Sequence, residues 1–125
     1  MSTIKANTLL HSDGSTTTQP SIPALDQRMA KAWVRINGMN TVSIYSSYNV
    51  SSITDVQTGN YRANFTTALN GNYCGFSSTS QQVTWGGNNT GNEVYIVNQS
   101  VMGATHYENG ILTDTGNIHI LAFSN

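Results

Sequence analysis

Ala32, Val34 and Ile36 alternate with Trp33, Arg35 and Asn37, and the same two-residue period returns where Tyr61, Ala63 and Phe65 alternate with Arg62, Asn64 and Thr66. A period of two places successive side chains on opposite faces of an extended strand, so each of these segments is expected to bury one face and wet the other. After Gly38-Met39-Asn40, Val42 and Ile44 resume against Ser43 and Tyr45, which reads as a hairpin. Thr58-Gly59-Asn60 and Asn70-Gly71 are turn signals on either side of the Tyr61 strand, and a further strand is expected at Tyr73 to Phe76. Glu93 to Val97 and Asn117 to Phe123 restore the pattern beyond a glycine-rich loop, Trp85-Gly86-Gly87-Asn88-Asn89-Thr90-Gly91. Short strands at such intervals predict an antiparallel β-sandwich, jelly-roll-like or Ig-like, over residues 32–125.

Two segments ahead of that domain ask for neighbours. Thr3 to Leu10 alternates Ile4, Ala6, Thr8 and Leu10, a strand arm with no hairpin partner in the sequence. Ser21 to Lys31 has Pro23 near its start, Asp26 early and Arg28 and Lys31 late, the charge order that suits a short helix. Residues 1–31 therefore read as an arm and short helix for assembly or attachment, with Ser12 to Pro20 the one stretch expected to be unfolded. Ile4, Leu10, Leu25 and Met29 are the candidate interface residues of this part. In the last strand Ile118, Ile120 and Ala122 share one face and His119, Leu121 and Phe123 the other, so both faces are expected to be covered. Leu121 and Phe123 join the candidate interface on that ground.

Only 9% of the 125 residues are charged and the formal net charge is -1, so the chain is polar through amides and hydroxyls. Five basic residues make no stripe that could neutralise a phosphate backbone, and nucleic acid is not an expected partner. No apolar run approaches the roughly 20 residues of a membrane span, and no secretion signal is read at Met1 to Gly14. Membrane insertion is therefore not expected. The single Cys74 cannot form an internal disulfide and reads as a small buried hydrophobe between Tyr73 and Phe76. Asn-x-Ser/Thr sequons at Asn49, Asn64, Asn88 and Asn98 are what chance gives in a chain of this composition.

Three patterns could carry chemistry. Asp114-Thr115-Gly116 matches the motif that places one carboxylate of an aspartic protease pair, but a second copy is lacking and the same tripeptide makes an ordinary turn. His106 and Glu108 share a strand face, which would allow a surface metal site, but zinc asks for three or four ligands, so a satisfied strand histidine is the expected reading and no metal is expected. Trp85, Tyr95 and Tyr107 could stack on a sugar while nearby amides and hydroxyls supply donors and acceptors for a neutral glycan. Neither a nucleophile elbow nor a phosphate loop is present.

The segments MSTIKANTL, DGSTTTQPSIPALDQRMAKAWVRING and SYNVSSITDVQTGNYRANFTTAL resemble the module found at the ends of tail-fibre and other virion structural proteins of tailed bacteriophages, especially those of marine bacteria. The resemblance covers residues 1 to about 75 and is most specific at Lys31-Ala32-Trp33-Val34 and Tyr48 to Leu69. It implies a β-rich, non-enzymatic module without a cofactor, displayed outside the particle after assembly in the host cytoplasm, a homotrimer bound to other capsid or tail proteins. The first hairpin of that module commonly reads Asn-Gly-Thr-Gly-Thr-Val, whereas here Asn37-Gly38-Met39-Asn40-Thr41-Val42 lacks the second glycine, so its turn is expected to differ. With about thirty residues ahead of the module in place of a fibre shaft, the expected role is a small appendage: a head decoration, a head fibre or a fibre tip. The alternative is a receptor-binding module that recognises a host-surface glycan through the Trp85 loop.

Overall fold

The structure, a computed structural model, describes residues 5–8, 10–14, 29–70, 75–80 and 90–124. Nine strands are seen among them: β1 Ala32–Asn37, β2 Ser43–Tyr48, β3 Val50–Gln57, β4 Asn60–Phe65, β5 Gly75–Ser80, β6 Thr90–Asn98, β7 Val101–Glu108, β8 Ile111–Leu112 and β9 Ile118–Phe123. They form two antiparallel sheets, ordered β2-β1-β9-β5 and β3-β4-β7-β6, with β8 pairing the end of β7. The first strand of an immunoglobulin-like sandwich stands at a sheet edge. Here β1 is interior, between β2 and β9.

The period-two segments explain the core. Ala32, Val34 and Ile36 of β1 face the interior with Ile118, Ile120 and Ala122 of β9. Across from them stand Tyr61, Ala63 and Phe65 of β4 and Met102 and Ala104 of β7, closing one hydrophobic cluster between the sheets. Outward-facing Trp33, Arg35 and His119 are exposed, as the alternation requires.

Asn49 turns the chain from one sheet to the other. It stands between β2 and β3 with a φ of 55°, the left-handed region that asparagine tolerates better than most residues. Its Nδ2 donates to the carbonyls of Lys31 and Thr67, both at 3.0 Å, and its Oδ1 accepts from the Thr67 amide at 2.7 Å. One side chain thus ties the entry to β1, the bend between β2 and β3, and the exit from β4. The first hairpin uses another left-handed asparagine. Asn40, at the place of the second glycine in Asn-Gly-Thr-Gly-Thr-Val, has a φ of 59°.

Strand register gives the sandwich two unlike ends. Lys31, Asn49, the exit from β4 and the β6–β7 turn gather at one end, where Lys31 N–H donates to the Ala122 carbonyl and Leu69 N–H to the Gln99 carbonyl. At the other end lie the β1–β2, β3–β4, β7–β8 and β8–β9 connections, with Ser80 and Thr90 flanking the β5–β6 connection.

Several expectations need correction. Lys5–Thr8 and Leu10 are not in a strand, and Met29–Lys31 are not helical; residues 21–28 of the expected helix lie outside the described residues. Of the strand expected at Tyr73 to Phe76, Tyr73 and Cys74 lie outside the described residues, and β5 continues past Phe76 to Ser80, because Ser77-Ser78-Thr79 is hydroxyl-rich yet fully compatible with an edge strand. Only one face of β9 is fully covered: Leu121 and Phe123 are half-buried and His119 is exposed. Outward residues of β9 meet solvent because no further layer of described residues lies over that face.

Candidate functional site

The Asp114-Thr115-Gly116 motif lies in the connection between β8 and β9 at the loop-bearing end. There Asp114 Oδ1 accepts from Tyr61 Oη at 2.6 Å and from the Gly59 amide at 2.7 Å. Tyr61 Oη also stands 2.9 Å from the Gly38 carbonyl, and Gly38 N–H donates to the Thr115 carbonyl at 2.9 Å. The hydroxyl has one proton for two acceptors, and the shorter contact goes to the carboxylate. Burial, then the hydrogen bond and negative charge of Asp114, hold the Tyr61 phenol well above the usual tyrosine range. This carboxylate is a clamp that fixes the β3–β4 turn to the β8–β9 connection. Its neighbours leave no room: a Cβ at Gly38 would stand 2.4 Å from Tyr61 Oη, and one at Gly59 would stand 2.6 Å from the Thr113 nitrogen.

A second polar cluster occupies the same end, and the sequence did not reveal it. His106 follows Met102 and Ala104 on the inward face of β7 and is wholly buried, so it belongs to the interior and offers no ligand at the surface. Its Nδ1 lies 2.7 Å from Ser80 Oγ and 3.2 Å from Asn92 Oδ1, while Ser80 Oγ donates to Asn92 Oδ1 at 2.6 Å. On the far side of the ring, Nε2 stands 3.6 Å from Glu108 Oε1 and has no hydrogen-bond partner among the described residues. Serine, histidine and glutamate in that order echo a nucleophile, base and acid. Base catalysis would need the ring to reach a substrate, and this ring has no exposed surface. What the cluster does is join β5 of one sheet to β6 and β7 of the other, where the apolar core gives out. No group of three or more His, Cys, Asp or Glu side chains gathers for a metal among the described residues.

The candidate glycan residues divide. Trp85 lies outside the described residues. Tyr95 and Tyr107 share the outer face of the β3-β4-β7-β6 sheet, as their pairings with Gly103 and Gly91 require. Tyr95 is committed to the fold: its ring covers Gly103, where a Cβ would stand 2.1 Å away, and its hydroxyl reaches past β7 to Asn60 Oδ1 at 2.5 Å. Tyr107 Oη makes a longer contact, 3.3 Å, with Glu93 Oε2. Around them lies an amide and hydroxyl surface in which Asn64 Nδ2 donates to Ser52 Oγ and Thr54 Oγ1, each at 3.0 Å.

The candidate interface residues are likewise only partly assembled. Ile4 and Leu25 lie outside the described residues, and Leu10 and Met29 are exposed. Leu121 and Phe123 do come together with residues that the sequence had not singled out. On the outer face of the β2-β1-β9-β5 sheet, Tyr48, Trp33 and Leu121 stand in one cross-strand row, Trp33 paired with both its neighbours. Trp33 is 38% exposed in an interior strand. Beside this row Arg35 donates to Asn117 Oδ1 through Nε at 2.9 Å and Nη2 at 2.8 Å, and its guanidinium lies 5.0 Å from the centre of the Tyr45 ring. The signal for Trp33 was in the alternation, which set it opposite Ala32, Val34 and Ile36.

No family model matches the chain, and no curated protein or solved structure matches it either. No helix among the described residues is long and apolar enough to cross a membrane.

Proposed function

We propose that the chain is a non-enzymatic structural module of a tailed-phage virion, a small surface-displayed appendage whose entry end attaches or assembles it and whose far end is presented outward. The observation that carries the reading is the opposition of the two ends. The chain enters β1 through Lys31, which is bonded to Ala122 and Asn49, while four described connections and both flanks of the fifth open at the opposite end. A domain built this way holds to a particle at one end and leaves loops free at the other. The resemblance of residues 1 to about 75 to tail-fibre and virion modules supplies the particle. A low charge content supports it too, since little of such a surface depends on ion pairs that salt would screen.

Electron microscopy with gold-coupled antibody against the chain tests this on particles from producing cells. Label on heads or tails is the expected result; label that never coincides with a particle overturns the proposal. A second reading, recognition of a host-surface glycan, is supported by the outward position of Ser80 and Thr90, which in sequence precede and follow the segment that holds Trp85. Under it Trp85→Ala abolishes binding to host cells at an unchanged thermal midpoint, and absence of wild-type adhesion rejects it.

A further inference from the structure

Among the described residues the two sheets have four edge strands, and they are not equally protected. The ladders of β2 and β3 are broken by register shifts, between Arg35 and Ile36 opposite β2 and at both ends of β3. Such bulges are a common way to stop an edge from pairing with another chain. β5 is short and made of glycine, serine, threonine and one phenylalanine. β6 is different. It is nine residues long, its register with β7 is unbroken from Thr90 to Ile96, and Glu93 is its only charge. It contains no proline, and Ile96 and Val97 are 46% and 41% exposed. A long, regular, nearly uncharged edge of this kind is a template for strand addition.

The same chain carries a segment suited to it. Thr3 to Leu10 alternates Ile4, Ala6, Thr8 and Leu10, a strand-length pattern, yet Lys5–Thr8 and Leu10 are exposed and pair with no strand among the described residues. Its one charge, Lys5, is opposite in sign to the one charge of β6. We propose that the edge of β6, which pairs with no strand among the described residues, takes up residues 3–10 of a second copy of this chain as an added strand. This rests on the assembly role proposed above and names the surface through which copies join. An arm given to one neighbour while the β6 edge receives another is a head-to-tail contact, which closes into a ring when the rotation allows and so suits a trimer. Twenty-one residues separate Leu10 from Ala32, and at roughly 3.3 Å per extended residue such a connection spans more than the length of β6. Ile4 and Leu10 would bring apolar side chains to the rim that now shows Ile96 and Val97.

The test joins residue-resolved amide exchange to sedimentation equilibrium on the full chain and on Ala6→Pro, a change outside the sandwich that removes a donor from the added strand. In the wild-type assembly, every second amide from Thr90 to Ile96 should be slowed about a hundredfold relative to exposed backbone. In Ala6→Pro that protection should disappear and the association constant should fall at least about tenfold. Fast exchange of those amides in an assembled wild-type protein overturns the inference, as does unchanged association in Ala6→Pro. Protection in a strictly monomeric wild type overturns the second copy as donor. Loss of the β6 inference leaves the virion reading standing, because labelling of particles does not depend on which surface joins the copies.

Discussion

Asn49 shows how much of this fold rests on single polar side chains. Its left-handed backbone and three side-chain hydrogen bonds serve three segments at once. Asn49→Gly keeps the backbone comfortable but abandons the bonds, whereas Asn49→Ala abandons the bonds and adds strain of about 1 kcal/mol. Urea unfolding should therefore rank wild type above Gly and Gly above Ala, with the Ala variant down by about 2–4 kcal/mol at an unchanged slope. An Ala variant as stable as wild type would remove Asn49 from its place as the corner. Tyr61 and Asp114 yield a pH-dependent expectation. The folded phenol holds its proton well above the unfolded value of 10.0, so the stabilisation it brings is fully present below that pH. Above it the unfolded chain loses the proton first, and stability falls as pH rises towards the folded value. Asp114→Asn keeps an acceptor for Gly59 and Tyr61 and removes the charge, so the fold should survive at neutral pH with a gentler alkaline decline. Asp114→Ala leaves the Gly59 amide without this partner and should cost about 1–3 kcal/mol. An alkaline limb equally steep in Asp114→Asn and wild type would contradict this account, as would peptide cleavage that the Asn variant loses.

At the scale of strands, what the sequence made legible was whatever a two-residue period controls. β1 and β4 each bury the face that alternation assigns them, through Ala32-Val34-Ile36 and Tyr61-Ala63-Phe65, while in β9, where both sets were apolar enough to be expected inside, only Ile118-Ile120-Ala122 is fully buried. The continuation of β5 from Ser77 to Ser80 was not legible, because serine and threonine carry no hydrophobic signal although they extend readily. The buried cluster was illegible for another reason: Ser80, Asn92 and His106 belong to three strands, and only the closure of two sheets brings them together. His106 did share parity with Met102 and Ala104, a hint that it faces inward. Gly103 is a case where sequence gives no warning and packing is decisive, because the Tyr95 ring occupies the space above it. Gly103→Ala should cost about 1–3 kcal/mol through overpacking. Combined with Tyr95→Ala it should cost less than the sum of the two single changes, since the added methyl then meets open space. Strict additivity in that double-mutant cycle would place the ring elsewhere.

For the whole molecule, the unanswered demand is the outer face of the β2-β1-β9-β5 sheet. An antiparallel sheet with one face on the core usually turns a polar face to water. Here Tyr48, Trp33 and Leu121 form a row across three strands, with half-buried Phe123 on the same face of β9. Aromatic residues placed centrally on a face are the kind that anchor protein interfaces. The two routes to assembly, this face and the β6 edge, lie on different sheets and can both operate in one closed ring. Their contributions separate by mutation. Trp33→Ser removes the largest side chain of the row and leaves Ala32, Val34 and Ile36 in the core, so the dissociated chain should lose only the two cross-strand pairs of Trp33, about 1–2 kcal/mol of unfolding free energy. If the face is buried between copies, sedimentation equilibrium should find the wild type trimeric at micromolar concentration and the variant dissociating at least about tenfold more readily. A wild type that sediments as a monomer at that concentration would end the trimer proposal, and with it both routes. A trimer indifferent to Trp33→Ser but dissolved by Ala6→Pro would assign the assembly to the strand edge alone. The row at Trp33 would then be free to meet the virion itself.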